Sequence, residues 1–152
     1  MCGLTLIFLH AEHSWMGFWH PILVHFPIVL FTLALLFDLL FSLSKMASMS
    51  MGNWMLIGGT LFLIPNLITG FEARDAFPPD DPAVHSHMIR ALIMSFYAFL
   101  YTAVRLYLQN KSMQLSPLVY VVSSLFLVAL VYWTSDYGGV LSHGKTPFPT
   151  FF

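Results

Sequence analysis

Hydrophobic positions in this chain form four long runs, separated by short polar or turn-rich connections. The runs cover roughly residues 21–42, 54–71, 84–108 and 115–133. Each is close to the ~20 residues that a helix needs to cross the hydrocarbon core of a bilayer. Because no water is available there to bind backbone N–H and C=O groups, such a run takes the form of a helix. The pattern predicts an all-α integral membrane four-helix bundle, with residues 1–152 as a single transmembrane domain.

Proline and glycine mark two predicted helix ends. Pro21 suits the first helical position, where its missing N–H would be unpaired in any residue, and this puts His20 at the N-cap. Gly138 and Gly139 follow the fourth run, and a glycine pair readily forms a turn. A chain that folds back toward the membrane after Gly139 would carry His143 over the mouth of the bundle; the alternative is that His143 is a solvent-exposed histidine of the tail.

Composition supports a membrane location and restricts the chemistry. Of 152 residues, 58% are hydrophobic and 9% are charged, whereas soluble domains carry about a quarter charged residues. The lipid bilayer is thus the expected surroundings, and the net charge of −1 argues against a nucleic-acid partner. The single cysteine, Cys2, excludes a cysteine metal cage within one chain. Histidine is the only abundant metal ligand.

All histidines fall at one predicted end of the bundle. Four crossings place the N-terminus, the middle connection and the C-terminus on the same side of the membrane. The seven histidines occupy only these regions: His10, His13, His20, His25, His85, His87 and His143. Imidazoles at a membrane edge can be metal or haem ligands, proton carriers, or polar groups at the headgroup level.

The segment His20-Pro-Ile-Leu-Val-His25-Phe-Pro27 is the most distinctive string in the chain. On an ideal helix five residues leave His20 and His25 about 140° apart, with His25 about 7 Å deeper. Unless the helix start is irregular, the two imidazoles therefore serve different ligands. His25 is expected to be a ligand because an unpaired imidazole at that depth is costly. The alternative is a hydrogen bond from His25 to a carbonyl freed near Pro27.

The third run begins with His85 and His87, which lie about 200° apart around a helix axis, so one of them faces the bundle. His87, Arg90, Ala91 and Met94 share a stripe, as residues three and four apart do. An imidazole, a cation and a small residue beside one cavity suit a haem. The alternatives are a water-exposed His85 and an Arg90 that reaches toward the lipid headgroups.

Haem propionates need cations. Arg74, in the connection before the third run, and Arg90 are the candidates for this role. The candidate cofactor-binding residues are therefore His20, His25, His85, His87, His143, Arg74 and Arg90.

Several of these motifs resemble a known family. The opening H-P-x-x-V-H-F-P, Asp38 near the far end of the first run, Thr69-Gly70, and the close G-G-x-L-x-H-G resemble small bacterial membrane proteins catalogued as a domain of unknown function. The resemblance covers nearly the whole chain and implies a four-helix membrane domain. It also implies a likeness to b-type haem membrane cytochromes, with His20, His25, His87 and His143 as the metal ligands.

Together these features predict a haem b membrane subunit of a respiratory electron-transfer complex. It would pass electrons between quinol or quinone and a partner redox protein, with other membrane or periplasmic subunits as partners. It would be a non-catalytic subunit holding one or two haems, with His25 and His87 as one pair of iron ligands and His20 and His143 as another. The alternatives are a non-haem zinc or copper site and a structural membrane anchor without a cofactor.

Charge gives a direction across the bacterial inner membrane. Three cations mark each side: Lys45, Arg105 and Lys111 on the histidine-free side, and Arg74, Arg90 and Lys145 on the histidine side. Lys45 and Lys111 lie in short free loops, and such loops are richer in Lys and Arg on the cytoplasmic side. We therefore expect the histidine side to be periplasmic.

Asp38 is the acid that the first run carries deep toward its far end. A carboxylate inside a membrane span needs a partner. We expect this partner to be Lys45 or the end of a helix.

Overall fold

The computed structural model describes residues 15–44, 49–75, 77, 78, 80–111, 113 and 115–143. This part of the chain forms five helices: α1 (Trp15–Leu23), α2 (His25–Ser44), α3 (Met49–Arg74), α4 (Pro82–Asn110) and α5 (Pro117–His143). Four segments are long and apolar enough to cross a membrane: Trp19–Ser44, Ser50–Arg74, Pro82–Asn110 and Pro117–Gly139. The predicted all-α membrane bundle is confirmed.

The predicted start of the first span is wrong. Helix begins at Trp15, so Pro21 lies inside α1 and His20 is not an N-cap. The interruption comes at Val24, between α1 and α2. Pro27 has no N–H to give to the carbonyl of Leu23, four residues earlier. The side-chain amide of Asn66 in α3 donates to that carbonyl at 3.2 Å instead.

The predicted turn at Gly138-Gly139 is also wrong. Helix α5 continues through both glycines and ends at His143. A β-carbon added at Gly138 would lie 3.2 Å from Cε1 of His87. Gly138 therefore leaves room for a side chain from α4, and the chain does not reverse here.

Helix α4 has a well-defined start. Oδ1 of Asp81 accepts hydrogen bonds from the backbone N–H groups of Ala83 at 2.8 Å and Val84 at 3.4 Å. Pro82 occupies the first turn, where no N–H is needed. An N-cap of this kind fixes where α4 begins and hence the direction in which His85 and His87 leave it.

The four long helices pack as a closed ring. Helix α2 packs against α3 and α5, α4 packs against α5 and α3, and the short α1 lies on α3. The central core is made of buried apolar side chains: Phe31, Ala34, Leu56, Leu63, Met94, Ala98, Leu127, Val128 and Val131. Large apolar side chains also cover the outside, such as Phe96 at 71% and Leu118 at 66% exposure. A surface of this kind is suited to lipid.

A buried ion pair closes the end of the bundle away from the histidines. Asp38 in α2 and Arg105 in α4 make two hydrogen bonds, of 2.6 and 2.7 Å. The two side chains are 2% and 1% exposed, respectively. The expectation that Asp38 pairs with Lys45 or a helix end is wrong. Arg105 reaches it from α4, so Arg105 is a buried charge rather than a mark of the membrane surface.

Further groups satisfy the same pair. Asn53 in α3 accepts a hydrogen bond from Nε of Arg105 at 2.6 Å, and Tyr101 accepts one from Nη1 at 2.9 Å. The hydroxyl of Ser124 in α5 donates to Asp38 at 2.6 Å. All four long helices therefore contribute a side chain to the network. Gly52 in α3 leaves room for it, because a β-carbon there would lie only 2.7 Å from the Asp38 carboxylate. A buried charge pair with this many hydrogen bonds is the form in which charges are tolerated inside a bundle.

The contact between α2 and α3 depends on Gly59. A β-carbon at this position would lie 2.5 Å from Cε1 of Phe31, a ring that is 1% exposed. Because the ring has no free space, we expect Gly59→Ala to destabilise the bundle by about 1–3 kcal/mol, as overpacking does. Unfolding by SDS in mixed micelles measures the change.

Gly58 is the matched control for this variant. A β-carbon there would meet Cδ1 of Leu30 at 3.4 Å, an ordinary contact. Gly58→Ala is expected to leave the stability nearly unchanged, or to raise it slightly because alanine favours helix. Equal losses for both variants would contradict a specific role for the Gly59–Phe31 contact.

Candidate functional site

A cavity of ≈ 820 Å³ lies at the histidine end of the bundle, between the helices. Its walls are mostly apolar, with Leu63, Met94 and Val131 at its deep end. Four of the predicted site residues line it: His20, His25, His87 and Arg74. Of the predicted stripe on α4, Ala91 and Met94 also line the cavity.

His20 is held by Thr69 of α3. The Thr69 hydroxyl donates to the carbonyl of Pro65 at 2.9 Å, so its oxygen is an acceptor for Nδ1–H of His20, 3.2 Å away. A β-carbon on Gly70 would lie 3.0 Å from Cε1 of His20, so this glycine gives the imidazole room. The bond to Thr69 selects the neutral tautomer whose lone pair is on Nε2.

His87 is held in the same way by α5. Its Nδ1 lies 3.1 Å from the carbonyl oxygen of Thr134. A carbonyl only accepts, so Nδ1 carries the proton and Nε2 carries the lone pair. One turn further along α5, Gly138 leaves space for the ring. Helices α4 and α5 thus fix both the position and the tautomer of this imidazole.

His20 and His87 lie beside each other in the cavity. Their ring centroids are 6.5 Å apart and their planes are 81° apart. His25 was predicted to pair with His87, but the structure places His20 next to His87. Backbone hydrogen bonds from Val24 to His20 and from Ile28 to Val24 keep a helical path across the interruption, so His20 and His25 leave it in different directions and His20 is the one that meets His87.

His25 lines the same cavity but is exposed. Its Nδ1 lies 2.6 Å from the carbonyl of Pro21, which again makes Nδ1 the donor and leaves the lone pair on Nε2. A hydrogen bond to a carbonyl in this proline-rich turn was the alternative considered from the sequence. The acceptor is on Pro21, before the break, rather than near Pro27.

The other predicted residues lie elsewhere. His85 is exposed and lines a separate depression with Arg74, Asp75 and Met88. The guanidinium of Arg90 does not line the cavity. It lies 4.4 Å from the ring centroid of Trp133 and 3.9 Å from that of Tyr137, both in α5. It also donates a hydrogen bond to the backbone carbonyl of Trp133 at 3.1 Å. His10, His13 and the side chain of His143 lie outside the described residues.

Two buried polar atoms of cavity residues lack a hydrogen-bond partner within the described part of the chain, namely Oδ1 of Asn66 and Oγ of Ser95. Nδ2 of Asn66 donates to two carbonyls, at 2.8 and 3.2 Å, so the orientation of the amide is determined. Asn66, Thr69 and Gly70 were not identified as site residues from the sequence. The pattern that could have identified them is three small or polar residues at i, i+3 and i+4 in an otherwise apolar run, because residues with this spacing lie on one helix face.

Among residues that the structure describes, no group of three or more His, Cys, Asp or Glu side chains is arranged to hold a metal ion. What the described residues bring together is a pair of imidazoles. Two imidazoles with Nε2 lone pairs can serve as the two axial ligands of a planar metal cofactor.

Residues 19–145 match the model of a family described as a predicted membrane protein, DUF2231. The chain therefore belongs to this family, and the resemblance to a membrane protein domain of unknown function is confirmed. Comparison with curated proteins and with solved structures finds no match.

Proposed function

We propose that this four-helix member of DUF2231 binds haem b and works as an electron-transfer subunit of a respiratory complex in the bacterial inner membrane. His20 and His87 would hold the haem iron, whose one-electron chemistry would carry electrons between quinol or quinone and a partner subunit on the histidine side. The observation that carries the proposal is the imidazole pair. Both rings are fixed through Nδ1, and both have Nε2 available for a metal.

The spacing of the pair supports this assignment. With metal–nitrogen bonds of about 2.0 Å, two imidazoles on opposite sides of one metal have ring centroids about 6 Å apart. The centroids of His20 and His87 are 6.5 Å apart. A histidine ligand also normally donates its other N–H to a protein acceptor, as Thr69 and the Thr134 carbonyl allow here.

The cavity fits a porphyrin in size and polarity. Its ≈ 820 Å³ lies within the range of ligand pockets, and apolar side chains reach two helical turns below the imidazoles, to Leu63 and Met94. Arg74 lines the rim, where the propionates of a haem would lie, and it is exposed. Its present partner is the neighbouring Asp75, at 3.2 Å. Because Arg90 is held by Trp133, Arg74 is the better candidate for a propionate partner.

When bound, haem iron supplies one-electron transfer. The residues of this chain hold the ring, exclude water and set the electron density on the ligands. Thr69 and the Thr134 carbonyl accept hydrogen bonds from the Nδ1–H groups, which makes each Nε2 a stronger electron-pair donor to a metal. The apolar floor of the cavity lowers the local dielectric, which is one of the ways in which a protein tunes the potential of an iron centre.

The proposed orientation places the histidine end in the periplasm. Arg105 is buried in its pair with Asp38 and does not contribute to the surface charge on the other side. Lys45 and Lys111, in the short connections at that end, remain as the cations that favour the cytoplasm.

The test of the proposal is a spectrum of the full chain, purified from its native membrane in mild detergent. A dithionite-reduced minus oxidised spectrum is expected to show a low-spin b-haem band. A pyridine haemochrome assay is expected to give one haem per chain, since the described residues bring one pair of imidazoles together. Protein that contains no haem would overturn the proposal and would be followed by metal analysis.

Thr69→Val should weaken haem binding while leaving the bundle intact. Valine keeps the shape of threonine but removes the acceptor for Nδ1–H of His20. Loss of such a partner typically lowers metal affinity about 10–100-fold. Titration of haem into haem-free protein measures this change.

Thr102→Val is the matched control. Thr102 is a buried threonine whose hydroxyl is hydrogen-bonded to that of Thr60 at 2.8 Å, and it does not line the cavity. Equal affinities of the two variants would contradict the role of Thr69.

A further inference from the structure

His25 presents a hydrogen-bond acceptor at the edge of the cavity. Its Nδ1–H is bound to the Pro21 carbonyl at 2.6 Å, which fixes the lone pair on Nε2. None of the described residues donates to that Nε2. It takes no part in the contact between His20 and His87, whose ring centroids lie 6.5 Å apart. Among the described imidazoles that line the cavity, His25 is therefore the one whose Nε2 has neither a partner in the chain nor a place in the His20–His87 pair.

The position of this acceptor is unusual for a histidine that only faces water. Along the chain His25 lies about one and a half helical turns, or about 7 Å, beyond His20 toward the membrane interior. An exposed imidazole at such a depth is costly unless a partner is present. The side chain of His25 is nevertheless exposed. Nδ1 already has the Pro21 carbonyl as its partner, so a donor to Nε2 is what has to come from outside the described residues.

The cavity that His25 lines has apolar side chains with large exposed fractions in its wall. Phe71 and Leu92 line it and are 45% and 43% exposed. Pro21, one helical turn before His25, is also exposed and lines the cavity. A wall of exposed apolar side chains suits an apolar, membrane-soluble ligand.

We propose that His25 binds a membrane-soluble quinol in its reduced form, through a hydrogen bond from a quinol O–H to Nε2. The tautomer decides the redox form of the ligand. With Nδ1–H bound to the Pro21 carbonyl, Nε2 of His25 is an acceptor, whereas a quinol hydroxyl donates and the carbonyl oxygen of a quinone only accepts. The site therefore binds quinol and discriminates against quinone.

This assignment rests on the proposed electron-transfer function, because that function selects quinol among membrane-soluble compounds that carry a hydroxyl group. The aromatic ring of a quinol also suits the apolar cavity wall. The two proposals place different residues in contact with different ligands. His20 and His87 hold the haem, and His25 holds the quinol.

The experiment uses the full chain in phosphatidylcholine vesicles. Binding of decylubiquinol, of decylubiquinone and of a long-chain alcohol is measured by equilibrium partitioning and chromatographic quantification. Quinol is expected to bind about tenfold more tightly than quinone, the difference that a single net hydrogen bond provides. Equal binding of quinol and quinone, or equal binding of quinol and the alcohol, would overturn the proposal.

Two variants of His25 and one control sharpen the result. His25→Phe keeps a flat ring without an acceptor and is expected to abolish the preference for quinol. His25→Gln supplies an amide oxygen and is expected to restore part of it. His85→Phe changes an exposed histidine that does not line this cavity, and it should retain the full preference. A preference that survives in His25→Phe would exclude His25 as the acceptor.

Protein with both His20 and His87 changed to alanine is expected to lose haem and to keep the quinol preference. Haem content and quinol preference, measured on the same native protein, separate the two proposals. If haem is absent from the native chain but the quinol preference remains, the proposed haem function fails and the acceptor role of His25 stands. If haem binds as proposed and no quinol preference is found, the quinol site fails alone.

Discussion

His87→Ala is expected to remove haem from the protein. The variant deletes one of the two proposed iron ligands, and no other described imidazole lies where His87 is held between α4 and α5. Loss of a residue that merely orients a ligand costs about 10–100-fold in affinity, so loss of the ligand itself should cost at least ~100-fold. The haem content of purified protein and the amplitude of the reduced b-haem band measure the effect. His20→Ala is expected to behave in the same way.

His85→Ala is the control for this prediction. His85 stands two residues earlier on α4, is exposed, and does not line the cavity. Its variant should keep the full haem content. SDS unfolding of the haem-free forms shows whether each variant still folds. A His87→Ala protein that folds and retains haem would contradict the assignment of His87 as an iron ligand. Loss of haem from His85→Ala would contradict the location of the haem site in this cavity.

The second large effect is expected at the other end of the bundle. Asp38→Leu leaves Arg105 charged and buried at 1% exposure, without its carboxylate. Breaking a buried ion pair by removing one partner costs about 3–5 kcal/mol. Arginine stays protonated at any accessible pH, so it cannot escape the cost by losing its charge. The free energy of SDS unfolding measures the loss, which is large compared with the stability of a small bundle.

The reverse variant and the double variant distinguish a lost pair from a lost side chain. Arg105→Met should cost less than Asp38→Leu, because the remaining carboxyl group of Asp38 can take up a proton and become neutral. The double variant Asp38→Leu, Arg105→Met should regain most of the stability, since it leaves no unpaired charge. Asp75→Ala breaks an exposed pair with Arg74 and should have little effect. Additive losses in the double variant would contradict a specific coupling between Asp38 and Arg105.

The two ends of the bundle have opposite characters. At one end, Asp38, Arg105 and their partners make a satisfied network that ties the four long helices together. At the other end, imidazoles with available Nε2 atoms surround a cavity. The end that contains the cavity thus belongs to a bundle whose helices are joined at the far end by a buried ion pair. At the centre they are joined by close contacts such as that between Gly59 and Phe31.

Local sequence determined the helices and the end at which the candidate chemistry lies. The four apolar runs are long enough to span a bilayer, and a helix is the structure that satisfies their backbone. The chain also showed that one of His85 and His87 faces the bundle, since two residues on a helix lie about 200° apart. These conclusions depend only on periodicity and on the side of the membrane that each connection occupies.

Tertiary structure decided which side chains meet. The distance between His20 and His87, the pairing of Asp38 with Arg105, and the use of Gly138 as space for an imidazole all involve residues on different helices. Helix periodicity carries no information about the rotation and depth of one helix relative to another. Those are set by packing of the whole bundle, here with a helix break at Val24 that Asn66 stabilises from a neighbouring helix.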